Sequence, residues 1–177
     1  MNINEDIQLD VAEIGELVLG RWADVRRHTR SVIEQKQLFK TEGLHMDKHR
    51  EQVLNQLKTL VKAGATQYGF PEELGGRRDP GASLASFEEL VFGDPSLQIK
   101  FGVQWGLFGS AILYLGTDYH HKHFLPGAVN LETPGAFAMT ETGHGSDVAS
   151  IGTTATYDPE TGAVSYTHLT LPTNREV

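Results

Sequence analysis

The stretch Phe137-Ala-Met-Thr-Glu-Thr-Gly-His-Gly-Ser-Asp147 gathers the residue types that can hold a large polar ligand. An apolar run that reads as strand leads into Thr-Glu, then two glycines flanking a histidine, then Ser-Asp. Glycines at 143 and 145 allow a sharp turn and a close backbone approach to a ligand. A turn of that kind can aim successive N–H groups at an anion. Thr140 and Ser146 add hydroxyls that donate or accept. The whole reads as a loop wrapped around a large polar cofactor.

Other residue groupings point to weaker chemistry. His45 and His49 are spaced i,i+4, and His120, His121 and His123 cluster. The first pair lacks the glutamate of a zinc-protease helix, and no cysteine assists either group, so both read as solvated surface with no metal. No glycine-rich loop precedes a Lys-Ser/Thr pair, and the dinucleotide fingerprint G-x-G-x-x-G is absent, which excludes a Rossmann site. Glu141 and Asp147 could serve as bases by type, but in this setting they read as turn and hydrogen-bond support.

Composition narrows the classes further. The chain has 177 residues, enough for a real core. A net charge of −8 without a basic run argues against nucleic acid as a partner. Zero cysteines remove disulfides and thiolate chemistry. The opening Met1-Asn-Ile-Asn-Glu-Asp6 is too acidic for a signal or transit peptide. No apolar run reaches membrane-spanning length. The expectation is a soluble protein without membrane insertion, placed in the cytoplasm.

The elements that must position the loop are mostly helices. Residues 10–19 carry Val11, Ile14, Leu17 and Val18 on one face, with Asp10 as N-cap. Residues 22–39 continue less regularly. Asp47 opens an amphipathic helix with Val53, Leu54, Leu57, Leu60 and Val61 in one stripe, closed by Gly64. Residues 83–91 form a short helix. Residues 95–115 are apolar enough to be mostly buried. Gly102, Gly106 and Gly109 punctuate that helix, for close helix–helix packing or for a smooth wall along an aliphatic chain. After Pro126 the character changes. Residues 136–140 and 153–157 read as strands, Asp158-Pro-Glu-Thr-Gly162 as a turn, and Val164 as the start of a returning strand. The fold class is α+β, mainly α: a helical domain over residues 1–133, then the truncated start of a small β-domain over 134–164.

These motifs, in this order, resemble the acyl-CoA oxidase and dehydrogenase superfamily over roughly residues 7–164. Tyr68-Gly-Phe-Pro-Glu-Glu-Leu-Gly-Gly76 is similar to its G-x-P-E-x-x-G-G segment, and Gly93-Asp-Pro-Ser-Leu97 to the start of its long buried helix. The 137–147 loop resembles its flavin-binding signature, T-E-x-G-x-G-S-D. The resemblance implies an FAD enzyme that dehydrogenates an acyl-CoA thioester between its α and β carbons, in fatty-acid β-oxidation. Phe137, Met139 and Thr140 would lie along the flavin, and Gly145 and Ser146 near the cofactor's polar parts, with Ser146 also near the acyl-CoA. The catalytic glutamate of the family lies in a C-terminal helix bundle, so no catalytic residue is assigned within this chain.

Gly143-His-Gly145 and Thr153-Thr-Ala-Thr-Tyr-Asp158 resemble the oxidase branch, as does His120-His-Lys122. Thr142 and His144 replace the proline and small residue usual in the dehydrogenases, whereas Asp147 is shared with them. An oxidase passes electrons to O2 and makes peroxide; the alternative, a dehydrogenase, passes them to an electron-transfer protein. A third reading is a non-catalytic helical interaction module. The parent is expected to be a homo-oligomer, peroxisomal if eukaryotic. Residues 165–177 break the pattern and read as a non-native tail on a truncated frame, so the piece by itself is expected to be inactive.

Overall fold

The computed structural model describes residues 10–141, 143 and 145–167. The chain divides into two compact units, the first ending at Ala136 and the second beginning at Phe137. The first is helical. Helix α1 (Val11–Leu19) starts where the Asp10 carboxylate accepts from Ala12 N and Glu13 N, satisfying two otherwise unpaired donors. Its apolar face points outward: Val11, Leu17 and Val18 are more than three-quarters exposed. Helix α2 (Ala23–Gln35) buries Val25, Thr29, Val32 and Ile33. It stops short of the expected Phe39 because Gln37 takes a left-handed φ of 51°.

Helix α3 (Met46–Lys62) buries Val53, Gln56, Leu57 and Leu60. Gly64, at φ 70°, ends it as its sequence position predicts. Helix α4 (Pro80–Glu89) begins three residues before the expected Ser83, with Asp79 as N-cap and Pro80 inside the first turn. Trp22 fixes that corner. Its indole N–H donates to Asp79 Oδ2 at 2.9 Å and holds the carboxyl below the usual carboxylate range. Its ring lies over Gly81, where a Cβ would stand 2.0 Å from it.

The long apolar stretch is a composite. Helix α5 (Pro95–Phe101) is capped by Asp94. It passes without a break into a π-helical segment, Gly102–Gly109, and then into α6 (Ser110–Leu115). Helices α7 (Asp118–His123) and α8 (Leu125–Val129) follow. The sequence reading identified neither. Pro126 read as punctuation, but it lies in the first turn of α8, where its missing N–H costs nothing. The core gathers Leu60, Leu90, Leu97, Trp105, Leu125 and Val129, all essentially inaccessible.

The second unit holds an antiparallel hairpin, β1 (Ala155–Asp158) and β2 (Ala163–Tyr166), with Tyr157 opposite Val164. Asp158 organises the turn: its carboxylate accepts from Glu160 N and Thr161 Oγ1, its carbonyl accepts from Gly162 N, and Gly162 has φ 68°. Ser165 and Tyr166, from the segment set apart as a tail, pair with Thr156 and Ala155. Residues 168–177 lie outside the described residues. Residues 136–140, expected as a strand, have no strand assigned.

Helices α2 and α4 meet through polar groups as well as apolar ones. Thr29 and Ser86 hydroxyls lie 2.9 Å apart in full burial, and Ser86 Oγ donates onward to Ala65 O. One turn further along α4, Glu89 is 2% exposed and bonded to both Arg26 and Arg30. Burial alone would raise its pKa. Hydrogen bonds from Arg30 and Arg26 outweigh burial and hold the carboxyl below its usual range. Glu89 therefore contributes stability above the unfolded-chain value of about pH 4.3 and loses it as pH falls through the lower folded value. We expect Glu89→Ala to destabilise the fold by about 3 kcal/mol in urea unfolding at neutral pH. That is the low end for breaking a buried pair, because Arg30 is nearly half exposed and rehydrates. The gap between wild type and variant should narrow as the pH is lowered towards 3.

Candidate functional site

Tyr68-Gly-Phe-Pro-Glu-Glu-Leu-Gly-Gly76 folds as a tight loop whose shape depends on its glycines. Gly75 has φ 78°, a conformation that disfavours a side chain. A Cβ on Gly76 would stand 1.9 Å from Phe70 O. Gly76 N donates to Pro71 O, and Arg77 N and Asp79 N both donate to Tyr68 O. This loop drives the Phe70 ring against the π segment, where a Cβ on Gly109 would meet it at 3.0 Å.

Phe70 forms one end of a groove between α4 and the composite helix. Its volume is about 310 Å³, and Leu84, Phe87, Gly102, Gly106, Leu113 and Tyr114 line its walls. The three helix glycines do different things here. Gly109 and Gly102 are close-packing positions, with Phe70 and Phe87 rings 3.0 and 3.1 Å from a would-be Cβ. Gly106 is not: a Cβ there would meet nothing within 4 Å among the described residues. The close-packing reading holds at Gly102 and Gly109, and Gly106 faces open space in the groove. A run of i→i+5 bonding of this kind recurs at functional sites, and this one sets Gly106 at the groove wall.

The same segment anchors the turn that follows α8. Gln104 is 4% exposed, and its amide is engaged on every side. Nε2 donates to Ala128 O (2.9 Å) and Thr133 O (3.1 Å), and Oε1 accepts from Gly135 N at 2.7 Å. Next to it, Trp105 Nε1 donates to Val129 O at 2.9 Å. Gly135 lies so close to the helix that a Cβ would be 2.0 Å from the Phe108 ring. No motif reading pointed to Gln104; its signal is a polar residue amid an apolar run.

All five cofactor candidates fall in the second unit. Phe137, Met139 and Thr140 lie on one exposed stretch, Phe137 at 45% and Met139 at 39% exposure. Gly145 and Ser146 form the exposed bend before a 3-10 turn at Val148–Ser150. Added Cβ atoms on Gly143 and Gly145 meet nothing within 4 Å among the described residues. Thr142 and His144, the positions that separate the oxidase and dehydrogenase forms, lie outside the described residues. Glu141 is buried and acts as the support its position suggests. Its carboxylate accepts from Gly152 N at 2.9 Å, Thr153 N at 2.6 Å and Thr153 Oγ1.

The histidines divide: His45, His120 and His123 are exposed as expected, whereas His49 and His121 are half-buried. His49 Nε2 lies 3.3 Å from the fully buried Asp94 carboxylate. His120 Nδ1 accepts from Thr117 N at the start of α7, and His121 Nε2 lies 3.0 Å from Leu113 O. They are structural fasteners. Among the described residues, no three His, Cys, Asp or Glu gather to hold a metal, and no helix is long and apolar enough to cross a membrane.

Comparison with known proteins agrees with this geometry. Residues 23–132 match the family model "Acyl-CoA dehydrogenase, N-terminal domain". Acyl-coenzyme A oxidase 2, peroxisomal, of Arabidopsis thaliana is 42% identical over 114 residues, covering 64% of this chain and 16% of its own. Acyl-coenzyme A oxidase 3, peroxisomal, of the same plant is 32% identical over 171 residues, covering 90% and 25%. The structure of butyryl-CoA dehydrogenase from Megasphaera elsdenii superposes with a TM-score of 0.61 at 23% identity, over 82% of this chain and 38% of that one, a likeness of fold. The chain thus spans a quarter or less of the length of these two oxidases. It belongs to the acyl-CoA dehydrogenase N-terminal-domain family, within the acyl-CoA oxidase and dehydrogenase superfamily.

Gln104 provides a direct test of how the site is held. Replacing it with leucine removes three hydrogen bonds and leaves buried backbone groups unpaired. We expect Gln104→Leu to cost about 3 kcal/mol in chemical denaturation. Amide exchange at Gly135 should rise well above that of α3, showing release of the 128–135 turn before global unfolding.

Proposed function

We propose that this chain supplies the helical wall and the first cofactor-facing loop of an FAD-dependent acyl-CoA oxidase acting in fatty-acid β-oxidation. The observation behind this reading is the family membership, joined by relatives named as acyl-CoA oxidases. The groove beside Gly106 adds a place for an extended apolar chain. Relatives named as peroxisomal favour the peroxisomal matrix over the cytoplasm as the compartment. The parent is proposed as a homo-oligomer.

The residues of the second unit fit a flavin. Phe137 and Met139 alternate along the 136–140 stretch and share a face if it is fully extended, offering an apolar platform to a flat ring. The Thr140 hydroxyl can bond a polar ring edge, and the open bend at Gly145 and Ser146 admits the cofactor's polar parts and the acyl-CoA thioester. FAD, when bound, accepts the β-hydrogen as hydride. This chain's part is positioning: the groove walls hold the acyl chain and exclude water, and Thr140 and Ser146 supply hydrogen bonds. The α-proton is assigned to a carboxylate base other than Glu141, which is committed to Gly152 and Thr153.

Two measurements test the reading. The parent protein, purified with FAD, should release hydrogen peroxide from an acyl-CoA and O2. Turnover only with an artificial electron acceptor would make it a dehydrogenase, and no turnover with either would favour a non-catalytic helical module. Filling the groove should then act on chain length. Gly106→Phe should lower kcat/KM for long acyl chains about tenfold while sparing short ones.

A further inference from the structure

Glu141 is 8% exposed, and its carboxylate bonds far along the chain. Oε2 accepts from Gly152 N at 2.9 Å, while Oε1 accepts from Thr153 N at 2.6 Å and from Thr153 Oγ1. These bonds tie residue 141 to residues 152 and 153 and close the loop between them. That loop carries Gly143, Gly145 and Ser146, and Thr140 directly precedes it. The bend's own hydrogen bonds reach no further than three residues: Val148 N donates to Ser146 O, and Ser150 N to Asp147 O. Bonds of that reach shape a turn but do not bring the loop's ends together. The glycines of the loop carry a second message. Neither Gly143 nor Gly145 has a positive φ, and a Cβ on either would meet nothing within 4 Å among the described residues. A glycine that neither torsion nor packing requires leaves backbone bare for close approach by a ligand.

We infer that Glu141 is a positioning residue for the cofactor: it latches the 141–153 loop shut, so that Gly145 and Ser146 stand ready formed for FAD. This role rests on the flavin reading proposed above and adds to it the group that sets affinity. An open loop has many conformations, and closing it costs chain entropy. With the latch made, that cost is met on folding and cofactor binding escapes it. Without the latch only the closed fraction binds, and the apparent affinity falls by that fraction. A carboxylate suits the task because it only accepts. Its two oxygens face three donors, and no proton of its own opposes them. Glutamine in its place would turn one of those oxygens into an NH2 that meets an N–H head-on.

Two readouts on Glu141→Gln test it. In the 177-residue chain, amide exchange over residues 145–153 should quicken about tenfold, the equivalent of one lost charge-assisted hydrogen bond, while exchange in α3 stays as in wild type. In the parent protein, the FAD dissociation constant read by flavin fluorescence should rise by a similar factor, with circular dichroism showing that the variant is folded. Thr153→Val, which removes one of the three donors and keeps the side chain's shape, should raise it by less. A residue that served the fold alone would lower thermal stability and leave the FAD constant of the folded protein unchanged. Wild-type affinity for FAD in a folded Glu141→Gln therefore overturns the inference, and so does loop exchange that the substitution leaves unaltered. A wild-type parent that binds no FAD overturns the flavin reading itself and this role with it, a result distinct from FAD binding that ignores residue 141.

Discussion

The amide of Gln104 is the constraint on which the rest of the first unit is arranged. A buried carboxamide has to satisfy both ends, and here it does so through three backbone groups between Ala128 and Gly135. The cost of leaving any of them unpaired in an apolar interior fixes the path of the chain after α8. Trp105 repeats the device one residue on, bonding Val129 O and packing its ring 4.9 Å from Phe101. Together they hold the turn that leads into the second unit against the π segment, with Gly135 pressed to within a side chain's thickness of Phe108.

Polar groups also decide how α2 meets α4. An apolar interface would let two helices slide over one another with little change in energy. The Thr29–Ser86–Ala65 chain and the Glu89–arginine cluster allow only one alignment, because a shifted register would strand a buried hydroxyl or carboxylate. Glu89 contributes alignment more than net energy, since an ion pair in low dielectric gives back much of its Coulomb gain as desolvation.

Several parts of this fold are legible in the sequence, and the physical reason others are not differs from case to case. The Asp10 cap and the Gly64 stop act through neighbouring backbone and show in local sequence. So does the Asp158–Gly162 turn, with Val164 beginning the return. Helix α7 does not, because its start depends on a histidine accepting from Thr117, a capping chemistry no periodicity reveals. Helix α8 has too few residues for a period to show, and its proline looks like a break. The apolar stripe of α1 predicts burial, yet the described residues leave it exposed, because period reports a face and not what covers it. Residue type suggested a support role for Glu141, and the structure shows it buried and bonded to Gly152 and Thr153.

The glycines of the composite helix show why type and spacing alone could not resolve the site. Gly102, Gly106 and Gly109 look equivalent in sequence, and each weakens a helix by about 1 kcal/mol relative to alanine. Regular α-helical spacing would put residues 102, 106 and 109 on nearly one face and give them one role. The π segment changes the number of residues per turn across that span, so the three positions meet different surroundings. Two become contacts for Phe87 and Phe70, and one opens on the groove. The same helix carries Ser96, Lys100 and Val103 to a second cavity, beside α3. One helix can thus wall two separate apolar spaces, because Gln104 and Trp105 between them fasten it to the 128–135 turn.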